Sequence, residues 1–256
     1  MIKYLLVGAA TAAAVAVAQV PHKSADPADA TPIRNGLIGY MHKGELDGEA
    51  ILGPPPAMDS AQGKADRAIY LQARALAGTP RWKLAQRDND LWTGGAVNRF
   101  SCALGAEIDA KTTPVTYRIL QRVELDVRTV GTPPKDRYNR TRPPIGDSLP
   151  LCVARGDWMV KNASYPSGHS MTGWAWGLIL GELAPAKASA LAVAGREIGQ
   201  SRVICGVHFQ SDVDAGRQLG AAMVARLHDH PEFLKDMAAA RSELARDHTA
   251  PSACDY

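Results

Sequence analysis

What this chain has little of narrows it first. The formal net charge is only +3 and no block of five or more like charges occurs, so nothing argues for a nucleic-acid partner, an anionic membrane, a basic arm or an acidic tail. After residue 17 no segment stays apolar long enough to cross a bilayer, which excludes stable membrane insertion of the rest. Only four cysteines are present, and no Cys-x2-Cys pair exists to build a zinc site. Aromatic residues are scarce at 6%. Alternating apolar and polar runs are nearly absent, so the sequence predicts an all-α, single-domain helical bundle.

The residues present divide the chain. Met1-Ile2-Lys3, an apolar run from Tyr4 to Val17 and small residues around Ala16 and Ala18 read as a signal peptide over 1–18, too short for a comfortable membrane span. The mature protein is therefore expected to be periplasmic or secreted. Cys102, Cys152, Cys205 and Cys254 suit an oxidising compartment, with free thiols as the alternative and three pairings open if they bridge. Residues 19–48 read as an extended arm partly ordered against the domain, 49–250 as the domain and 251–256 as a tail.

Within the domain, Asp59 or Ser60 caps a helix reaching Leu76, and further helices are expected at Arg81–Leu91 and Asn98–Ile108. A helix starting at Thr113-Pro114 buries Val115, Ile119, Val123, Val127 and Val130. Gly131 and the Pro133-Pro134 pair are expected to end it and place Lys135 on an irregular segment. Residues 142–163 form a long loop. Helices then follow at Met171–Leu183, Ala186–Gln200 and Asp212–Leu227, the last capped by Ser211 with Asp214 behind it. Pro231–Arg246 reads as a weaker helix packed outside the core.

Three polar clusters lie between Lys135 and Asp212: Lys135-x6-Arg142-Pro143, Pro166-Ser167-Gly168-His169 and Ser201-Arg202-x5-His208-x3-Asp212. They supply three fixed cations, two imidazoles, a carboxylate and a Ser-Gly turn rich in backbone N–H groups. That inventory suits a tetrahedral oxyanion, with cations and amides for the non-bridging oxygens. His169 sits at a helix start, where free N–H groups add to those of Ser167 and Gly168. Asp212, four residues beyond His208, can accept from that imidazole and fix its tautomer. Arg142 and Arg202 can each offer two donors to one phosphate, and Lys135 adds a point charge. The expected ligands are small phosphorylated substrates, with inorganic phosphate or vanadate as site ligands and no metal or cofactor. Asp212-Val213-Asp214 superficially resembles an aspartyl-phosphate motif, but these residues open a helix rather than end a strand. His228, Asp229 and His230 read as helix-end charge rather than a metal cluster.

In this combination the three clusters resemble the signature of the type 2 phosphatidic acid phosphatase superfamily, and most closely the bacterial class A non-specific acid phosphatases. Leu52-Gly53-Pro54-Pro55-Pro56 and Ala77-Gly78-Thr79-Pro80-Arg81-Trp82 resemble the N-terminal half of that branch, and the likeness runs from about residue 50 to 230. The resemblance implies a helical bundle. It also implies that His208 is the nucleophile, oriented by Asp212, and that His169 is the general acid and then the base. Lys135, Arg142, Ser167, Gly168 and Arg202 would hold the phosphoryl oxygens. Rival readings are a vanadium-dependent haloperoxidase, which shares the site, and a lipid phosphate phosphatase. A homo-oligomer stays open.

Overall fold

A computed structural model describes residues 32–33, 36–251, 253 and 254. The expected signal peptide, 1–18, lies outside the described residues. Two short strands, β1 (Pro32–Ile33) and β2 (Leu37–Ile38), pair antiparallel. All other regular structure among the described residues is helical: α1 (Gly48–Leu52), α2 (Ala61–Ala73), α3 (Pro80–Arg87), α4 (Ala96–Leu104), α5 (Pro114–Tyr138), α6 (Trp158–Lys161), α7 (Gly168–Leu183), α8 (Ala188–Ile204), α9 (Gln210–Leu227) and α10 (Pro231–Leu244). The architecture is all-α, as the patterning requires.

The centre is α7, which packs most extensively against α8 and α9. Ten of its sixteen residues are buried, among them Met171, Trp176, Ile179 and Leu180. Close approach of α7 and α8 depends on glycine: a Cβ at Gly195 would stand 2.4 Å from the Gly173 carbonyl oxygen. The expected stripes on α5, α8 and α9 face this centre, with Ile119, Val123, Leu191, Ile198, Leu219 and Met223 fully buried.

Several helix ends differ from the sequence expectations, each for a local reason. The third helix stops at Arg87 rather than Leu91, because Asp88 turns inward and Asp90 Oδ1 accepts from the N–H groups of Trp92 and Thr93, a local bond that competes with the helix. Gly105, left-handed at φ 80°, ends α4 before Ile108. At the other end of α8, the helix continues through Ser201 and Arg202 to Ile204. Arg74 meets its last carbonyls, donating to Val203 O at 2.8 Å and Ile204 O at 2.6 Å.

The largest departure is α5, which does not end at Gly131. It runs through Pro133 and Pro134 to Tyr138, so Lys135 lies in its last helical turn. Proline has a helical φ but lacks an N–H, so two helix bonds are forgone. Tertiary contacts hold the turn instead. Pro134 is buried, Tyr138 packs edge-on against Tyr165, Tyr138 Oη donates to Glu49 O, and Lys135 donates to Ala163 O. The start of α5 is also capped from a distance, since Glu243 of α10 accepts from Val115 N, Thr116 N and Thr116 Oγ1.

The C-terminal helix does not lie outside the core. Phe233, Met237 and Ala240 join the main cluster, and Phe233 meets Tyr40 edge-on at 5.3 Å. Arg122 of α5 ties this region together by bonding Glu232 and the carbonyls of Ile38 and Gly39. Tyr40 and Met41 thus bring residues upstream of α1 into the core. The cysteines form two bridges, Cys102–Cys254 and Cys152–Cys205. Cys152–Cys205 lies beside Trp82, Ala85 and Val207 in a smaller second cluster, immediately before His208.

Candidate active site

Lys135, Arg142, His169, Arg202, His208 and Asp212 come from six separate segments. Lys135 is in the last turn of α5 and Arg142 follows in the loop after it. Both aim at one carbonyl: Lys135 Nζ donates to Ala163 O at 2.7 Å, and Arg142 Nη2 reaches the same oxygen at 3.3 Å. Arg142 also bonds Asn162 O and Val207 O, each at 2.7 Å. Its Nη1 lies 3.1 Å from His208 Nε2. On its outer side the Arg142 guanidinium stacks 5.0 Å from the partly exposed ring of Trp158 on α6.

His208 occupies the short connection between α8 and α9 and is only 3% exposed. Its Nδ1 lies 3.4 Å from Asp212 Oδ2 and 3.4 Å from Ser164 Oγ, which itself donates to Asp212 Oδ2 at 2.5 Å. A proton on Nδ1 faces the carboxylate, leaving the Nε2 lone pair on the Arg142 side. Asp212 also accepts from Phe209 N at 2.8 Å. The start of α9 is therefore at Gln210, with Asp212 as its acidic cap, rather than at Asp212 with Ser211 as the cap. Ser211 Oγ instead donates to Asp66.

Ser167 is the N-cap of α7, and its hydroxyl accepts from Ser170 N. Its own N–H donates to Asp212 O at 2.9 Å, so the backbone groups without an intrahelical acceptor are those of Gly168 and His169. His169 Nε2 lies 3.0 Å from Asn89 O, and Arg202 Nη1 donates to Asn89 Oδ1 at 2.7 Å. Arg202 is 3% exposed, and its Nε is buried with no acceptor.

Burial and like charge set the protonation of the unliganded site. Burial, then the neighbouring Arg142 cation, pulls Lys135 down to about 7. Burial lowers Arg142 to about 10 and, with help from Arg142, Arg202 to about 9, so both arginines stay charged in acid and at neutrality. His169 falls to about 3 through burial and the Arg202 charge, partly offset by its bond to Asn89 O. Burial first, then Arg142, Lys135 and Arg202, holds His208 well below the usual histidine range. The site is thus a ring of cations around two neutral imidazoles, and a dianion entering it would favour the protonated forms.

Four contributors carried no recognisable signal of their own in the sequence. Arg140 Nη1 donates to Asp212 Oδ1 at 2.6 Å and to Ser211 Oγ, while Nη2 donates to Asp66 at 2.9 Å. Asp66 comes from α2, 74 residues before Arg140 in sequence. Ser164 and Asn89 sit in loops whose polar residues look like ordinary turn residues. Elsewhere, His228 pairs with Glu182 and Asp229 with Arg226. Among the described residues no three His, Cys, Asp or Glu side chains gather as a metal site, and no helix is long and apolar enough to cross a membrane.

Comparison with known proteins identifies what the chain is similar to. The sequence model of the PAP2 superfamily matches residues 126–233, which span the three clusters. The chain is 40% identical over 203 residues to the non-specific acid phosphatase of Providencia stuartii, an alignment covering 78% of this chain and 82% of that protein. It is 40% identical over 205 residues to the non-specific acid phosphatase of Salmonella typhimurium, covering 78% and 80% respectively. Among solved structures, a bacterial vanadium-dependent iodoperoxidase superposes with a TM-score of 0.50 at 20% identity, over 69% of this chain and 53% of that one. That likeness is one of fold.

Proposed function

The chain belongs to the PAP2 superfamily and, within it, to the non-specific acid phosphatases, and from that premise we propose that it hydrolyses small phosphomonoesters through a phosphohistidine on His208, without a metal ion. The observation that carries the mechanism is the setting of His208. Its Nδ1 faces Asp212, its Nε2 faces Arg142, and burial among cations keeps it neutral.

A phosphoryl group held by Arg142, Arg202, Lys135, the Ser167 hydroxyl and the α7 N-terminus has its negative charge matched by fixed donors. The Nε2 lone pair attacks phosphorus as the P–O bond to the leaving group breaks, and the imidazolium that forms is stabilised by Asp212. His169 gives a proton to the departing alkoxide. In the second half, His169 takes a proton from water as its oxygen attacks phosphorus, and the P–N bond breaks to release phosphate and neutral His208. Three fixed cations supply the charge neutralisation that a metal would otherwise provide.

The N-terminal pattern and the two disulfides support export, with 1–18 removed, 19–48 as an arm, 49–250 as the catalytic domain and 251–256 as a tail. The purified enzyme should turn over p-nitrophenyl phosphate, sugar phosphates and nucleoside monophosphates at acidic pH, keep its activity in EDTA and lose it to vanadate. Loss of activity in EDTA, restored by a divalent metal, would overturn metal independence.

A further inference from the structure

We propose that Asn89 is a positioning residue that holds the general acid and one phosphate-binding arginine in a common register, His169 through its main-chain carbonyl and Arg202 through its side-chain amide. The proposal rests on the reading that His169 and Arg202 serve a bound phosphoryl group. The contacts are short, at 3.0 Å to His169 Nε2 and 2.7 Å to Arg202 Nη1.

Asn89 is itself held by what precedes it. Asp88 is fully buried and accepts from Arg99 through both carboxylate oxygens, at 3.2 and 2.9 Å. Ser201 Oγ donates to Asp88 Oδ2 at 2.5 Å and accepts from Arg81 Nη1 at 3.0 Å. Two consecutive residues after α3 therefore pair with two consecutive residues of α8, Asp88 with Ser201 and Asn89 with Arg202. This pairing fixes the loop in which α3 ends and carries its position into the site.

The chemistry of each bond suits its target. A carbonyl behind His169 Nε2 keeps a proton there, so Nδ1 is the nitrogen free to exchange a proton with a leaving group or water. The same carbonyl favours the imidazolium against the charges facing it, which are Arg202 of α8, and Arg142 and Lys135 from the α5 end and the loop after it; His208 completes that surround. A neutral amide oxygen orients Arg202 without cancelling its charge. The Nε, which has no acceptor, and the remaining N–H groups are left for an oxyanion. An aspartate here would orient the arginine equally well but would oppose the phosphate.

Asn89 is exposed, so its variants should fold. Inorganic phosphate would be titrated calorimetrically into wild type, Asn89→Ala and Asn89→Asp, and kcat would be followed against pH with p-nitrophenyl phosphate. Asn89→Ala should weaken phosphate binding and raise KM by roughly tenfold, in the range of one hydrogen bond to a charged group. Its kcat should fall only slightly, because the main-chain carbonyl remains. Asn89→Asp should weaken phosphate binding further and move the alkaline limb of kcat up by about one pH unit, as a new carboxylate does to a nearby acid. Wild-type phosphate affinity and unshifted limbs in both variants, whatever their Tm, would overturn the proposal. If His208 proves not to be phosphorylated while phosphate affinity still follows residue 89, the nucleophile assignment fails and this one stands.

Discussion

Gly216 of α9 and Ser167 at the start of α7 are in backbone contact: a Cβ at Gly216 would stand 2.5 Å from the Ser167 carbonyl oxygen. The same α9 turn holds Ser167 N–H through the Asp212 carbonyl. The Ser167–His169 turn of α7 is thus seated directly on the helix that carries Asp212, with no room for a side chain between them. Gly216→Ala should push the Ser167–His169 turn away from Asp212. We expect a loss of kcat/KM of tenfold or more, larger than that of Gly195→Ala, which displaces α7 from α8 without touching the site turn. Equal activity losses for the two variants at matched Tm would show that the contact has no bearing on catalysis.

Arg140 balances two buried carboxylates. With Asp66 and Asp212 at most 3% exposed, removing the guanidinium leaves both short of a partner. Breaking a buried ion pair by deleting one member costs about 3–5 kcal/mol. Arg140→Met should therefore lower Tm by roughly 10 °C or more and abolish activity. Arg140→Lys should recover little, because one ammonium cannot span both carboxylates. A thermally normal Arg140→Met protein would contradict the network.

The pH dependence follows from the direction of each shift. Lys135, pulled down to about 7, loses its charge as pH rises through neutrality, so phosphate affinity and kcat/KM should fall above that point. Lys135→Arg should move the fall to higher pH, since arginine keeps its proton. A kcat/KM still rising at pH 9 would contradict this. His169 and His208 titrate below their unfolded value of about 6.5. The unfolded chain therefore binds more protons below that pH, and the stability these residues contribute is present above 6.5 and lost as pH falls, for His169 through about 3. Phosphate reverses this by favouring the charged forms, so its effect on Tm should be greater at pH 5 than at pH 8. A phosphate-induced Tm shift independent of pH would refute the coupling.

The two disulfides should separate function from stability. Cys152–Cys205 closes a separation of 53 residues next to His208, a constraint worth about 4 kcal/mol in the chain-entropy model. Cys102–Cys254 ties residue 254 to α4 and has no residue in the His208 connection. Serine at both 152 and 205 should lower kcat as well as Tm, whereas serine at both 102 and 254 should lower Tm alone. Normal kcat in the first variant, measured well below its Tm, would show that the bridge does not stiffen the His208 connection.

Much of this architecture was legible in the sequence because it is local. The stripes on α5, α8 and α9 and the three polar clusters are set by spacing, and spacing survives without a structure. What could not be read is non-local. Pro133 and Pro134 are helix-ending signals, and α5 passes through them only because Tyr165, Glu49 and Ala163 wait on the far side. Phe233 looked peripheral because its partner Tyr40 lies almost two hundred residues earlier. Arg140 and Ser164 stand inside or beside the clusters but off their spacing, Asp66 and Asn89 lie far from them, and the roles of all four exist only once α2, the α3–α4 loop and the loop before α7 converge.

The most direct measurement is to trap the enzyme during turnover. Wild type mixed with 32P-labelled phosphomonoester and quenched in alkali, where phosphohistidine survives, should carry label on the peptide containing His208. His169→Ala should still be labelled with p-nitrophenyl phosphate, whose leaving group departs as the anion, and should lose far more rate on nucleoside monophosphates, by roughly 10²–10⁴-fold. His208→Ala should carry no label with either substrate. Label on His208→Ala, or label on wild type at any residue other than His208, would contradict the mechanism.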